Sequence, residues 1–310
     1  MAQVWRCAGL RWVGAEPVLV WEGGRRSALP RGKKVAFGVV TGGVRTCLGA
    51  RGHGCPTRAA VSGRSTGARC EECARLDRAH SVAADTVADD PRPYHVYLAW
   101  FGPGMVKVGI TAVERGATRL LEQGAVCFSW LGRGPLMAAR RAEEVLRAAL
   151  KVPDRIPYAD KRGVRGALPG AGERAAEVVE LHARAVALDG WPESLERMPG
   201  RTVDHAEVFG LDGVVGADGV VTELVAGGVV GGAVLAVAGP DLHLAIGRGV
   251  VVLDTRLMTG WDLVAAEAIV AAGQEVTTAT GTAAATAGAV LTVPVRALRG
   301  SGGGVQDGLF

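Results

Sequence analysis

The sequence predicts an α+β fold, on three observations. Short β-rich runs recur near both ends of the chain, helical periodicity is confined to the middle, and four cysteines gather between the first strands and the middle. The length of 310 residues allows two or three small domains. The expected division is an N-terminal β region at 1–45, a cysteine-rich metal-binding segment at 46–78 and a central module of a small antiparallel sheet with helices at 93–190. A C-terminal small β-barrel or sandwich at 203–267 and a low-complexity tail at 268–310 complete it.

Composition narrows the class. A hydrophobic share of 48% with 21% charged residues is that of a globular protein in water. No run of about 18 apolar residues offers a membrane span. The first residues are interrupted by Arg6 and Arg11 and carry no signal-peptide core. The expected location is the cytoplasm. The formal net charge of +4 is unevenly spread. Residues 1–75 hold 13 lysines and arginines against 4 acids, a net of +9, and the remainder carries −5. A basic front fits a nucleic-acid partner, and an ordinary basic surface is the plainer alternative.

In the N-terminal region Val4–Arg6, Leu10–Val13, Pro17–Trp21 and Val35–Val40 read as strands broken by Gly, Pro and Arg. Trp5, Trp12 and Trp21 read as packing a small β core, with stacking on bases as the alternative. Cys47, Cys55, Cys70 and Cys73 follow with spacing C-x7-C-x14-C-x2-C. The Cys70–Cys73 pair is half of a zinc knuckle, because two intervening residues let both thiolates reach one tetrahedral ion. The first half is wide for that template, and His53 is an alternative ligand. So few large apolar side chains surround these cysteines that structural zinc is the expected reason the segment folds. Four free thiols, or a redox pair at Cys70 and Cys73, are the competing readings. Cys7 and Cys127 read as single buried thiols. Residues 77–93 read as a linker.

The central stretch runs YHVYLAWFGPGMVKVGITAVERGATRLLEQGA from Tyr94 to Ala125. Val96–Phe101 and Met105–Thr111 flank Gly102-Pro103-Gly104 and predict a hairpin. Residues 116–123 predict a short helix ended by Gly124. Pro135 to Lys151 is helical by period, with Leu136, Ala139, Leu146 and Leu150 on one stripe. Glu143 lies on that stripe, where a buried carboxylate needs a partner; Glu144 faces Arg140, Arg141 and Arg147. Val152 to Gly172, with Asp154, Arg155, Tyr158, Lys161, Arg162 and Arg165, reads as a loop. Glu173 to Leu188 predicts a second amphipathic helix, with His182 as a core histidine. From His205 the strands return, at Ala206–Phe209, Val220–Val225, Ala233–Val237, His243–Ile246 and Val250–Asp254. Asp254-Thr255-Arg256 reads as an Asp–Arg pair closing a turn, with a functional site as the alternative. After a stretch rich in Ala, Thr and Gly, Val290 to Leu298 reads as a weak strand.

A hairpin followed by an arginine-bearing helix and a glutamate-bearing helix resembles the GIY-YIG nuclease fold over residues 93–190. His95-Val96-Tyr97 stands at the family's first triplet and Lys107-Val108-Gly109 at the second. Arg119 stands at the helix arginine and Glu143 at the metal-binding glutamate. The chain departs from the pattern at His95, where the family has glycine, and at Lys107, where it has tyrosine. Over most of residues 1–265 the sequence more closely resembles an uncharacterised bacterial family. That family joins a cysteine cluster, a VYLA…KVGIT…R…QGA core and an "LDTR…GW" run. The nuclease resemblance implies that Glu143 holds Mg²⁺, Arg119 grips a phosphate and Tyr97, near pKa 10 when unperturbed, helps position or deprotonate the attacking water, with Lys107 beside it supplying the cation or contacting the phosphate itself. Two functions follow as expectations: a Mg²⁺-dependent endonuclease acting on DNA or RNA, or a zinc-stabilised nucleic-acid-binding protein with a degenerate nuclease-like core. In the second, Tyr97 packs, Lys107 is solvated and Arg119 and Glu143 form a structural ion pair.

Overall fold

The computed structural model describes residues 2–79, 90–247, 249–270 and 290–298. The chain opens with strands β1 (Trp5–Val13), β2 (Glu16–Trp21), β3 (Arg26–Ala28) and β4 (Lys34–Val39), and the cysteine segment ends in helix α1 (Glu71–Ala79). The middle holds β5 (Tyr94–Trp100), β6 (Val106–Ala112), α2 (Thr118–Gln123), β7 (Cys127–Gly134), α3 (Leu136–Leu150), α4 (Tyr158–Val164) and α5 (Ala171–Val186), then β8 (Glu196–Arg197) and β9 (Thr202–Asp204). The last third holds α6 (Ala206–Phe209), β10 (Gly219–Val221), β11 (Val229–Ala238), β12 (Asp241–Ile246), β13 (Gly249–Asp254), β14 (Asp262–Ala265) and α7 (Ala266–Val270). Two short strands, β15 (Val290–Leu291) and β16 (Val295–Ala297), follow. The fold is α+β, as the sequence predicts.

The strands near the two ends of the chain make one sheet. Its order is β16-β10-β13-β12-β11-β4-β14-β1-β2-β3, with β15 against β11. Strand β4 lies between β11 and β14, and β1 pairs with β14 through Trp5–Leu263 and Arg6–Asp262. Residues 203–267 therefore do not form a barrel or sandwich of their own, and residues 1–45 are not a separate β unit. Short strands with open edges gain by pairing, so the two segments complete each other. Among the described strands no pairing joins β16 to β3. Three local expectations are corrected. Residues 206–209 form the short helix α6, because Gly210 ends a single turn at φ 72°. The 152–172 stretch contains α4 inside what composition reads as loop. The tail's Val290–Leu298 is described, as β15 and β16, while the rest of the low-complexity prediction falls on 271–289 and 299–310, outside the described residues.

The second sheet runs β6-β5-β7-β8, with β9 also on β7. Strands β5 and β6 pair over all seven residues, from Tyr94–Ala112 to Trp100–Val106. The turn is closed by the Met105 N–H donating to the Gly102 carbonyl at 2.8 Å, with Gly104 at φ 68°. Every residue of β5 is buried. Its alternation splits two clusters: Val96, Leu98 and Trp100 join the main core, and Tyr97, Ala99 and Phe101 pack with Leu120, Phe128 and Ile156. Helix α2 ends at Gly124 in the left-handed region, as predicted. Helix α3 buries Leu136, Ala139 and Leu146, which brings Glu143 to the edge of the sheet in a half-buried position.

Candidate functional site

Tyr97, Lys107, Arg119 and Glu143 come from four elements, β5, β6, α2 and α3, and are brought together. Tyr97 pairs with Gly109 across the hairpin, and the phenol lies over that glycine; a Cβ at 109 would run into the ring and its hydroxyl. This is why the second triplet ends in glycine. The Gln123 amide donates to Tyr97 Oη at 2.9 Å. Lys107 Nζ lies 5.8 Å from the centre of the Tyr97 ring and donates to the Asp154 carbonyl at 3.3 Å.

The charges act on each other. Burial raises Tyr97 above the ordinary phenol value, with the Gln123 hydrogen bond and Arg119 pulling the other way and Glu143 adding to the rise. Burial lowers Lys107 to about 8, and Arg119 deepens the drop while Glu143 and Asp154 oppose it. Burial raises the Glu143 carboxyl, and Lys107 opposes the rise while Asp154 adds to it. Arg119 keeps 44% of its side chain exposed, and its ion pair is with Glu122 at 3.7 Å. Among the described residues Arg119 and Glu143 make no ion pair, so the structural-pair expectation does not hold. His95, at the departed glycine position, is buried and stacks on Trp130 with ring centres 4.4 Å apart.

Beside this group lies a second, closed one. Arg162 donates to Asp241 and to Asp254, Arg165 to Asp241 and Arg256 to Asp254. Asp241 is fully buried; burial pushes its carboxyl up, but Arg165 and Arg162 more than offset that and hold it below the usual carboxylate range. Asp254 also accepts from the Arg256 backbone N–H, so the expected Asp–Arg turn is present within a larger network. Lys161 sits between the two groups. Its Nζ donates to the Gln123 carbonyl at 3.1 Å and lies 3.8 Å from the Phe101 ring centre. Burial lowers its amine to about 7, with Lys107 and Arg165 adding to the drop. The basic stretch that composition reads as an exposed loop is thus largely neutralised by β12 and β13. Nothing local in the sequence pairs Arg162 with Asp241, 79 positions away.

The cysteines form a third site. The Sγ atoms of Cys47, Cys55, Cys70 and Cys73 all lie within 4.8 Å of one another. The wide C-x7-C spacing is closed by a two-residue turn at Arg51 and Gly52, both at positive φ (52° and 81°), with Ala50 and His53 exchanging backbone hydrogen bonds of 3.0 and 2.9 Å. Gly49 and Cys70 N–H groups donate to Cys47 Sγ at 3.3 and 3.2 Å. Four sulfurs at this separation fit a tetrahedral ion such as zinc. His53 is exposed and outside the group. Arg45 ties the segment to the sheet: it is buried, and its guanidinium donates to the carbonyls of Ser62, Ser65, Arg256 and Thr259 at 2.6–2.8 Å. Sequence charge counting places Arg45 in a basic surface, where it is not. Cys7 and Cys127 are buried single thiols, and His182 is a core histidine whose ring bonds the Met198 carbonyl at 3.1 Å.

These features define the class: a two-sheet α+β protein with a four-cysteine cluster and a polar site beside a buried central hairpin. Residues 32–263 match the model of a family described as a protein of unknown function, DUF2797, and the chain belongs to that family. Neither the curated proteins nor the solved structures contain a significant match. No helix among the described residues is long and apolar enough to cross a membrane.

Proposed function

We propose that the protein is a metal-dependent phosphodiesterase of the GIY-YIG type acting on nucleic acid, with Tyr97, Lys107, Arg119 and Glu143 as its site. The observation that carries this reading is that three ionisable groups of opposite sign gather around one phenol without cancelling each other. A structural role would have paired Arg119 with Glu143. Arg119 instead pairs with Glu122 on its own helix and keeps 44% of its side chain exposed, and Glu143 stays half-buried with Asp154 close enough to raise it. The arrangement of hairpin, arginine-bearing helix and glutamate-bearing helix supports the likeness to the nuclease fold.

The donor set suits a magnesium ion, which takes one or two carboxylates and keeps its waters. Bound at Glu143, such an ion would supply Lewis acidity to a phosphate oxygen. The chain's own residues do the rest. Arg119 presents N–H groups to the phosphate and offsets the charge that develops on it. Tyr97, held protonated by burial, orients the attacking water through its hydroxyl and does not deprotonate it. Lys107, lowered to about 8, is the group beside Tyr97 able to take or give a proton near neutral pH. The chain contains no asparagine, so the asparagine that many such nucleases carry has no counterpart.

A second reading is favoured by the departures at His95 and Lys107 and by the depth of Tyr97: a nucleic-acid-binding protein whose nuclease-like core does not cut. In both readings the cysteine cluster holds zinc for structure. The deciding experiment is Mg²⁺-dependent nicking of branched, single-stranded and duplex substrates by the wild type and Glu143→Ala. Cutting that requires Glu143 supports the first reading, and binding without cutting, or cutting indifferent to Glu143, selects the second. Elemental analysis of the purified protein should find one zinc per chain, lost with cooperative unfolding when Cys70→Ser removes a ligand; a fully folded zinc-free protein with four titratable thiols overturns the metal assignment.

A further inference from the structure

Two cavities lie away from the Tyr97 site, on the N-terminal sheet, and share one wall. The first, about 410 Å³, is lined by Trp5, Trp21, Arg25, Arg26 and Ser27. The second, about 360 Å³, is apolar, with Phe37 and Leu263 facing the same two indoles. Trp21 pairs with Cys7, two residues along β1 from Trp5, so both indoles stand on one face of the sheet. Neither is fully buried. The Trp21 indole N–H donates to Ser27 Oγ at 2.9 Å, which fixes the plane of the ring. The Arg25 guanidinium lies over Trp5, 4.6 Å from its centre. A core aromatic needs no cavity on both sides and no arginine on its face.

The charge around this ridge is uncompensated. The sequence has no Asp or Glu between Glu22 and Glu71, and Arg25, Arg26, Arg31, Lys33 and Lys34 fall within ten positions of one another. Elsewhere in the basic front Arg6, Arg64, Arg69 and Arg75 are committed, to Asp262, Glu223, Asp77 and Glu72, while Arg11, Arg51 and Arg58 are scattered and make no ion pair among the described residues. Arg25 and Arg26 are exposed and make no ion pair among the described residues.

We infer that the Trp5–Trp21 ridge is a binding site for an unpaired nucleotide of single-stranded nucleic acid. A base stacks against an indole, and its phosphate meets Arg25 and Arg26. The chemistry selects this ligand. A stacking surface inside a cavity admits a base only when its face is free, which a duplex forbids, and the adjoining cations take the backbone charge. A volume in the range of small-molecule sites, roughly 300–1,000 Å³, matches one such unit and not a helix. This inference rests on the nucleic-acid half of the function proposed above and adds the form of the substrate and the place where it is held, remote from the scissile phosphate.

The test is fluorescence anisotropy of a labelled oligothymidylate, with a duplex of equal length beside it, in magnesium-free buffer, so that cutting is not read. The wild type should bind the single strand more tightly than the duplex. Trp21→Ala should weaken single-strand binding roughly 5- to 100-fold. Arg26→Glu, on an exposed side chain that the fold does not need, should weaken it and lower the slope of log affinity against log salt by about 0.7 or more. Glu143→Ala should bind as the wild type does. Wild-type affinity in both Trp21→Ala and Arg26→Glu overturns the ridge while leaving the nuclease reading untouched. Loss of binding in these variants, with a wild type that never cuts, upholds the ridge and removes the nuclease reading. A wild type that binds no nucleic acid, or only duplex, overturns the inference.

Discussion

Two polar groups lie side by side in this molecule, yet they are opposites. Around Asp241 and Asp254 every charge has a partner in contact: Arg162, Arg165 and Arg256 bond two carboxylates that solvent hardly touches. Around Tyr97, Lys107 and Glu143 make no ion pair among the described residues, and Arg119, paired with Glu122, keeps 44% of its side chain exposed. The first arrangement joins α4 to the far sheet, because a buried ion pair that saturates itself has nothing left for a ligand. The second leaves Lys107 and Glu143 without an ion-pair partner among the described residues, which is the arrangement the proposed phosphate and cation site would need. Pairing, more than composition, separates a fastener from a site.

That contrast can be broken by exchanging insults. Glu143→Ala should leave the melting temperature near that of the wild type and lower Mg²⁺-dependent cleavage by about a thousandfold, on the order of 4 kcal/mol in the barrier; a large loss of stability in this variant would make Glu143 a fastener after all. Asp241→Asn should do the reverse. It leaves buried Arg165 without a carboxylate partner and Arg162 with Asp254 alone, and urea unfolding should show a loss of about 3–5 kcal/mol. An unaltered transition midpoint would show the closed network to be dispensable.

Gly109→Ala tests the seat of the phenol. Its Cβ would collide with Tyr97, so overpacking should cost about 1–3 kcal/mol and cleavage should fall with it. Normal activity and stability together would mean that Tyr97 moves freely and is not positioned by the hairpin.

The smallest effect concerns Lys161, at the border of the two groups. Its amine is lowered to about 7 in the folded protein, while in the unfolded chain it stays near 10.4. Between those values the unfolded state binds more protons, so wild-type stability should rise with pH from about 7 towards 10. Lys161→Met lacks this dependence. The melting temperature of Lys161→Met relative to the wild type should therefore be highest at or below pH 7 and fall as pH rises. A difference that does not vary with pH would show that the amine keeps its ordinary protonation when folded.

Much of the middle of the chain is legible from sequence because its signals are local. The Gly102-Pro103-Gly104 turn, the Gly124 stop and the stripe through Ala139, Glu143 and Leu146 lie within a few residues of what they govern. The Cys70–Cys73 pair is legible for the same reason, whereas the reach of Cys47 to Cys55 depends on a turn with positive φ at Arg51, a residue type that gives no hint of it. Helix α4 is missed because its inward-facing side chains are polar: Lys161 is buried against Phe101 and the Gln123 carbonyl and Arg162 is tied to β12 and β13, so it lacks an apolar stripe. Arg45 and Arg165 count as surface charge until their distant acceptors are seen.

The sequence by itself determined the α+β class, the central hairpin and the four cysteines, since each rests on spacing along the chain, while the four candidate side chains came from the resemblance to the nuclease fold. Only the tertiary structure decided that the two ends share one sheet, that Arg162 and Arg165 are tied to Asp241 and Asp254, and that Arg119 and Glu143 do not pair with each other. Strand pairing and ion pairing depend on which surfaces meet across more than 70 residues. That choice is made by the packing of the whole molecule, which no local pattern encodes.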